Sequence, residues 1–168
     1  MEIRDAVKVA DWISSGLKSL LPTGVNPNLH KLALAGHSRG GHTAFSIALG
    51  RDAKPSLNFS ALIGVDPVAG TSKSSQIKPE ILDFKRGSFE LDMPVMVIGS
   101  GLGEERLDLL LPPCTPKGSG KNREPMRRSV GVAFLRAYLE GEKGELLGIV
   151  TEPQIAPAEL NPAVLREV

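Results

Sequence analysis

Ile3, Val7, Ala10, Ile13, Leu17 and Leu20 recur every three or four positions, while Glu2, Arg4, Asp5, Lys8 and Asp11 fall largely off that stripe. The spacing predicts an amphipathic helix over 2–21, ended by Pro22 and Gly24. After a turn-rich stretch, 22–28, the pattern changes. Lys31 to Ala35, Phe59 to Val65 and Pro94 to Ile98 are short and almost continuously apolar. Runs of that kind suit strands buried on both faces of a parallel sheet, where alternation would be lost. Gly41 to Leu49 reads as a helix that stops near Gly50. A further helix is predicted over 124–139, with Pro125 in its first turn and Val130, Phe134, Ala137 and Tyr138 inward. From Gly141 onward the pattern is weak, and an extended or loosely attached tail is expected. The expectation is an α/β chain with a three-stranded parallel sheet flanked by helices, residues 1–140 forming the domain and 141–168 the C-terminal tail.

Bulk properties narrow the function. A length of 168 residues suits one domain, and 41% apolar with 23% charged residues fits a globular chain. Twenty basic against nineteen acidic residues leave a net charge of +1, too little to attract nucleic acid, and 4% aromatics offer no base-stacking surface. Cys114 is the only cysteine, so no internal disulfide forms. No apolar stretch reaches the roughly 18 residues of a membrane span. Met1-Glu2-Ile3-Arg4-Asp5 is already helical in pattern and reads as neither a signal nor a transit peptide.

One pentapeptide carries chemistry. Gly36-His37-Ser38-Arg39-Gly40 lies between an apolar run and a helix-like stretch, the context of a G-x-S-x-G nucleophile elbow. Small residues let strand turn sharply into helix, which presents Ser38 at the apex. The reaction class is ester hydrolysis through an acyl-enzyme, and the N–H of Arg39 is the natural first oxyanion donor. The plain alternative is a glycine-rich strand–helix connection without chemistry.

The surroundings are more specific than the pentapeptide. Leu34-Ala-Gly-His-Ser-Arg-Gly-Gly41 is followed by Thr43-Ala44-Phe45, by Phe59-Ser-Ala-Leu-Ile-Gly-Val-Asp-Pro-Val-Ala-Gly70, by Pro94 to Gly103 and by Leu111-Pro-Pro-Cys114. Together they strongly resemble plant chlorophyllase, an α/β-hydrolase family that removes phytol from chlorophyll, over most of 1–140. Arg123 to Arg128 looks like the start of that family's C-terminal helix. The resemblance implies Ser38 as nucleophile, Asp66 as triad acid, chlorophyll as substrate and no metal or organic cofactor. It also implies a chloroplast setting, and peripheral association with pigment-bearing membranes without a spanning segment. Position supports the acid, because Asp66 lies just past the second strand, at the same carboxyl edge of the sheet as Ser38. A generic hydrolase would place its acid after the third strand, where Glu104, Glu105 and Asp108 stand.

The chain also departs from the family. The family's histidine belongs between the Pro-Pro-Cys stretch and the C-terminal helix, yet 111–121 runs almost directly into Arg123, and no histidine follows His42. The early half of the hydrolase sheet, source of the second oxyanion donor, is not recognisable either. Expectation therefore places His30 near the opposite edge, His37 pointing elsewhere on the turn and His42 directed by its helix, all three structural. The reading is a truncated chlorophyllase-type hydrolase, with a non-catalytic pigment- or partner-binding remnant (a splice product or incomplete gene model) as alternative. In that remnant the first strand would be an open apolar edge. Two lesser motifs fail: Gly118-Ser-Gly-Lys-Asn122 lacks P-loop spacing, and Gly99, Gly101 and Gly103 are followed by Glu104, not the glycine a dinucleotide fingerprint needs.

Overall fold

The computed structural model of this protein describes residues 2–84, 91–99, 130–156 and 160. The chain divides into two compact units, Met1–Pro116 and Lys117–Val168.

In the first unit the opening stripe forms helix α1, Glu2–Leu20. Glu2 and Asp5 in its first turn and Lys18 in its last complement the helix dipole. Its stripe buries Ile3, Val7 and Ala10, and Ile3 and Val7 pack with Ile47 and, more peripherally, Leu34 and Phe59. Burial fades after Ala10, and Val9, Trp12 and Leu20 are exposed.

The three apolar runs become β1 (Ala33–His37), β2 (Ala61–Val65) and, after a hairpin, β5 (Val95–Ile98). They form one parallel sheet in the order β1-β2-β5. The ladder pairs Ala33 with Ala61 and His37 with Val65. β1 therefore begins two residues later than its apolar run and extends into the pentapeptide. Only the central strand behaves as a fully buried strand should, with Ala61 to Gly64 all buried. On β1 Ala35 is exposed, and on β5 Val95 and Val97 are 36% and 56% exposed, as expected of strands with one neighbour among the described residues.

Helix α2, Arg39–Ala48, follows β1 without a linker beyond Ser38. Phe45 and Ala44 on its inner side form a core with Leu62, Ala69 and Ile81. Gly64 makes room for that packing, since a Cβ there would lie 2.7 Å from the Phe45 ring. A small antiparallel hairpin, β3 (Gly70–Ser72) and β4 (Ser75–Gln76), follows β2. It is too short and too polar to show a strand period in sequence.

In the second unit, residues 130–135 are helical and continue into a π-helical turn, Arg136–Glu140, together α3. Ala133, Phe134 and Ala137 are buried, and the rings of Phe134 and Tyr138 stand 5.0 Å apart. Gly141, at φ 86, ends this helix in the left-handed conformation that glycine adopts without steric cost. The expectation of an extended tail beyond Gly141 is corrected here. Gly144–Thr151 forms helix α4, burying Leu146 and Ile149, and Pro153–Ile155 adds a 3₁₀ turn. Gly144 and Gly148 hid the helix, because they dilute the apolar period and lower intrinsic propensity. The first residues of the helix predicted over 124–139 lie outside the described residues, as do Glu104, Glu105, Asp108 and Cys114.

Candidate active site

Ser38 sits between β1 and α2 with φ 54 and ψ −118, a left-handed conformation rarely held by a residue with a side chain. Such geometry costs about 1–3 kcal/mol and persists only where neighbours impose it. Here three backbone hydrogen bonds do so. The Ser38 N–H donates to the Val65 carbonyl at 2.9 Å, while the Ser38 carbonyl accepts from His42 N–H at 3.2 Å and Val68 N–H at 3.4 Å. The Ser38 side chain makes no capping bond to α2, so its hydroxyl is not consumed in holding the helix.

The same bonds bring in Asp66. Val65 and Val68 bracket it, so the segment after β2 is fastened to Ser38 on both sides of the acid. Asp66 itself donates its N–H to the Ile98 carbonyl at 2.8 Å and holds φ 43. Its carboxylate is buried, with 9% of the side chain exposed. Gly41 completes the arrangement: a Cβ there would fall 2.8 Å from Pro67 Cβ, so its absence lets the post-β2 segment lie against the first turn of α2.

Arg39 opens α2, where the first amide groups have no partner within the helix and are suited to face a negative charge. Its side chain pairs with Glu2 at 2.9 Å on the surface, which leaves the backbone N–H as the group of Arg39 next to Ser38.

All three histidines are among the described residues. His30 is exposed at the entry to β1, its N–H bonded to Asn28 Oδ1 at 3.1 Å. His42 is buried in α2 with Nε2 donating to the Pro79 carbonyl at 3.0 Å. His37 is different. Its Nε2 lies 3.9 Å from Asp66 Oδ2, with half of the imidazole exposed. The expectation that His37 points elsewhere on the turn is corrected: in β1 it pairs with Val65, a register no local pattern reveals, and its imidazole approaches Asp66. A cleft of about 480 Å³ on the flank of α2 is lined by Arg39, His42, Thr43, Ile77 and Pro79 and includes neither Ser38 nor Asp66. Among the described residues no cluster of three or more histidine, cysteine or carboxylate side chains is arranged to hold a metal. None of their helices is long and apolar enough to cross a membrane.

A strained serine between a parallel strand and a helix, with a buried carboxylate at the end of the neighbouring strand, defines part of an α/β-hydrolase. A family model described as Chlorophyllase matches residues 1–122 and 118–167. The chain belongs to the chlorophyllase family. It is 39% identical to Chlorophyllase-1 of Arabidopsis thaliana over 214 positions, covering 97% of this chain and 66% of that protein. Identity to Chlorophyllase-2 of the same plant is 40% over 198 positions, covering 88% of this chain and 62% of that protein. With Chlorophyllase-1, chloroplastic, of Citrus unshiu it is 31%, covering 95% and 61%. The chain thus spans less than two thirds of the length of these relatives. Since 97% of 168 residues is about 163, some fifty of the 214 aligned positions of the first relative face no residue here. The two stretches of the family match meet at 118–122, which is where such an internal gap belongs.

Proposed function

We propose that this chain carries a chlorophyllase-type ester-hydrolase site, acting on the phytyl ester of chlorophyll through Ser38. The observation that carries the proposal is the Ser38 backbone, held at φ 54 by hydrogen bonds on either side of Asp66. In the reaction the Ser38 oxygen bonds to the ester carbonyl carbon as its proton departs to a base. The Arg39 N–H faces the carbonyl oxygen as it becomes negative. Collapse of the tetrahedral adduct breaks the bond to phytol, which leaves with a proton, and water then releases chlorophyllide from the serine. Asp66 supplies the buried carboxylate that orients the base. The chloroplast, named for the Citrus relative, is the proposed compartment, with peripheral association at pigment-bearing membranes.

A second reading, pigment or partner binding without turnover, is favoured by a specific observation. Some fifty positions of the relatives face no residue of this chain, and its last histidine is His42, whose Nε2 is committed to Pro79. Phytol release by the purified chain and by Ser38→Ala separates the two. Release that vanishes in Ser38→Ala supports the hydrolase. Pigment binding with no release, and no fluorophosphonate adduct on Ser38, establishes the binding reading.

A further inference from the structure

Of the three histidines His42 alone is buried, at 4% exposed. Its Nε2 faces the Pro79 carbonyl, which can only accept, so in the neutral ring the proton sits on Nε2. Pro79 belongs to an excursion, 67–82, that begins at the residue after Asp66. The near end of that excursion rests on the first turn of α2. Pro67 lies against Gly41, and the Val68 N–H reaches the Ser38 carbonyl at 3.4 Å. The β3–β4 hairpin follows, closed by the Gly70–Gln76 pair and by the Ile77 N–H on the Ala69 carbonyl at 2.8 Å. The Gln76 side chain then grips Leu82 as a strand partner would, donating to its carbonyl at 2.7 Å and accepting from its N–H at 3.3 Å. Residues 77–81 thus form a closed loop, with Ile81 in the core of Phe45 and Leu62 and Pro79 held by His42.

The backbone N–H of His42 donates to the Ser38 carbonyl at 3.2 Å, so one residue ties the serine to the far end of the excursion. Ser38 keeps φ 54 only while its neighbours impose it. The Val68 bond is the longest of the three that do so, hence the one most sensitive to a shift of the excursion. We propose that His42 is a positioning residue of the Ser38 site: its bond to Pro79 clamps the 67–82 excursion against the first turn of α2, which keeps the Val68 N–H on the Ser38 carbonyl and the serine in its strained conformation. The assignment rests on the reading of Ser38 as nucleophile.

The test uses the full chain with three variants. His42→Phe removes the donor, His42→Gln places an amide nitrogen near the position of Nε2, and Gln76→Ala opens the loop without touching α2. Hydrogen exchange is followed at the Val68 amide and, as reference, at the Leu62 amide, which donates to the Pro94 carbonyl at 2.9 Å. Fluorophosphonate capture of Ser38 is the second readout. His42→Phe should speed exchange at Val68 about tenfold more than at Leu62, the weight of one buried hydrogen bond, and slow capture about tenfold. His42→Gln should reverse both effects, and Gln76→Ala should move Val68 in the same direction as His42→Phe. Equal acceleration at Val68 and Leu62 overturns the proposal, because His42 would then serve stability alone. A deficit that His42→Gln leaves in place overturns it too, as does a loosened Val68 with capture unchanged. Should His42→Phe not fold, Gln76→Ala decides, and unchanged exchange at Val68 overturns the clamp. Absence of capture in the unaltered chain counts against the hydrolase reading, and the Val68 exchange then decides the clamp by itself.

Discussion

Gly36 and Gly40 are the two glycines of the pentapeptide, and the structure assigns them opposite consequences on substitution. A Cβ added at Gly36 would stand 2.1 Å from the Gly40 oxygen, 2.3 Å from the Gly40 carbonyl carbon and 2.6 Å from the Gly41 nitrogen. These are backbone atoms in the first turn of α2, so no side chain can swing aside. Relief requires β1 and α2 to separate by about 1 Å, which opens the turn that holds Ser38. Overpacking of this kind costs about 3 kcal/mol, the upper part of its usual range. For a chain of this size that lowers the thermal midpoint by roughly 6–12 °C. A displacement of about 1 Å at a nucleophile also reduces reactivity by about a hundredfold. At Gly40 an added Cβ meets nothing within 4 Å, and the residue is helical. Gly40→Ala should therefore stabilise by about 0.5–1 kcal/mol through helix propensity. Thermal and urea unfolding of both variants, with fluorophosphonate capture of Ser38, checks the contrast. Equal midpoints for Gly36→Ala and Gly40→Ala would refute the argument that the turn is closed by contact at Gly36.

Three further outcomes follow from particular contacts. Ser38→Gly should raise stability by about 1–3 kcal/mol while Ser38→Ala does not, because only glycine relieves φ 54; denaturant midpoints compare them, and neither variant should be captured at this site. His42→Phe leaves the Pro79 carbonyl without its 3.0 Å donor and should cost about 1–3 kcal/mol, read from urea midpoints. The Asp11 carboxylate accepts from the Ser56 N–H at 2.7 Å and the Ser56 hydroxyl at 2.8 Å, which holds it below its ordinary value of 3.8. A depressed folded value means the contribution is complete above the unfolded pKa and is lost as pH falls through the folded one. Ser56→Ala should therefore move the Asp11 titration upward in carboxyl NMR and flatten the acid limb of the stability profile.

Sequence made some of this legible and concealed the rest for identifiable reasons. The three strands were readable because short apolar runs leave little alternative, and Ser38 was readable because the turn demands small neighbours. The end of β1 was not, since pairing across to Val65, and not hydrophobicity, carries the strand into Gly36 and His37. Helix α4 escaped because Gly144 and Gly148 weaken its propensity, although Leu146 and Ile149 still share its buried side. Asp66 could be placed at the carboxyl edge of the sheet but not measured against Ser38. That relation depends on three backbone bonds and on Gly41 accepting Pro67, none of which leaves a periodic trace.

Those bonds also explain how so small a sheet holds a demanding geometry. The Ser38 N–H lies on the Val65 carbonyl, and the Asp66 N–H lies on the Ile98 carbonyl, so the ladder is continued one step beyond each strand end. Ser38 and Asp66 are thus set by the register of β1 on β2 and of β2 on β5. A base is a different matter. In a hydrolase it arrives on a loop from a later part of the sheet, and its place is fixed by length of chain, not by register. A change of chain length between β5 and the C-terminal helices would therefore move or remove such a base while leaving Ser38 and Asp66 where the ladder puts them. The two stretches of the family match meet at 118–122, in that part of the chain, and no histidine follows His42 in the sequence.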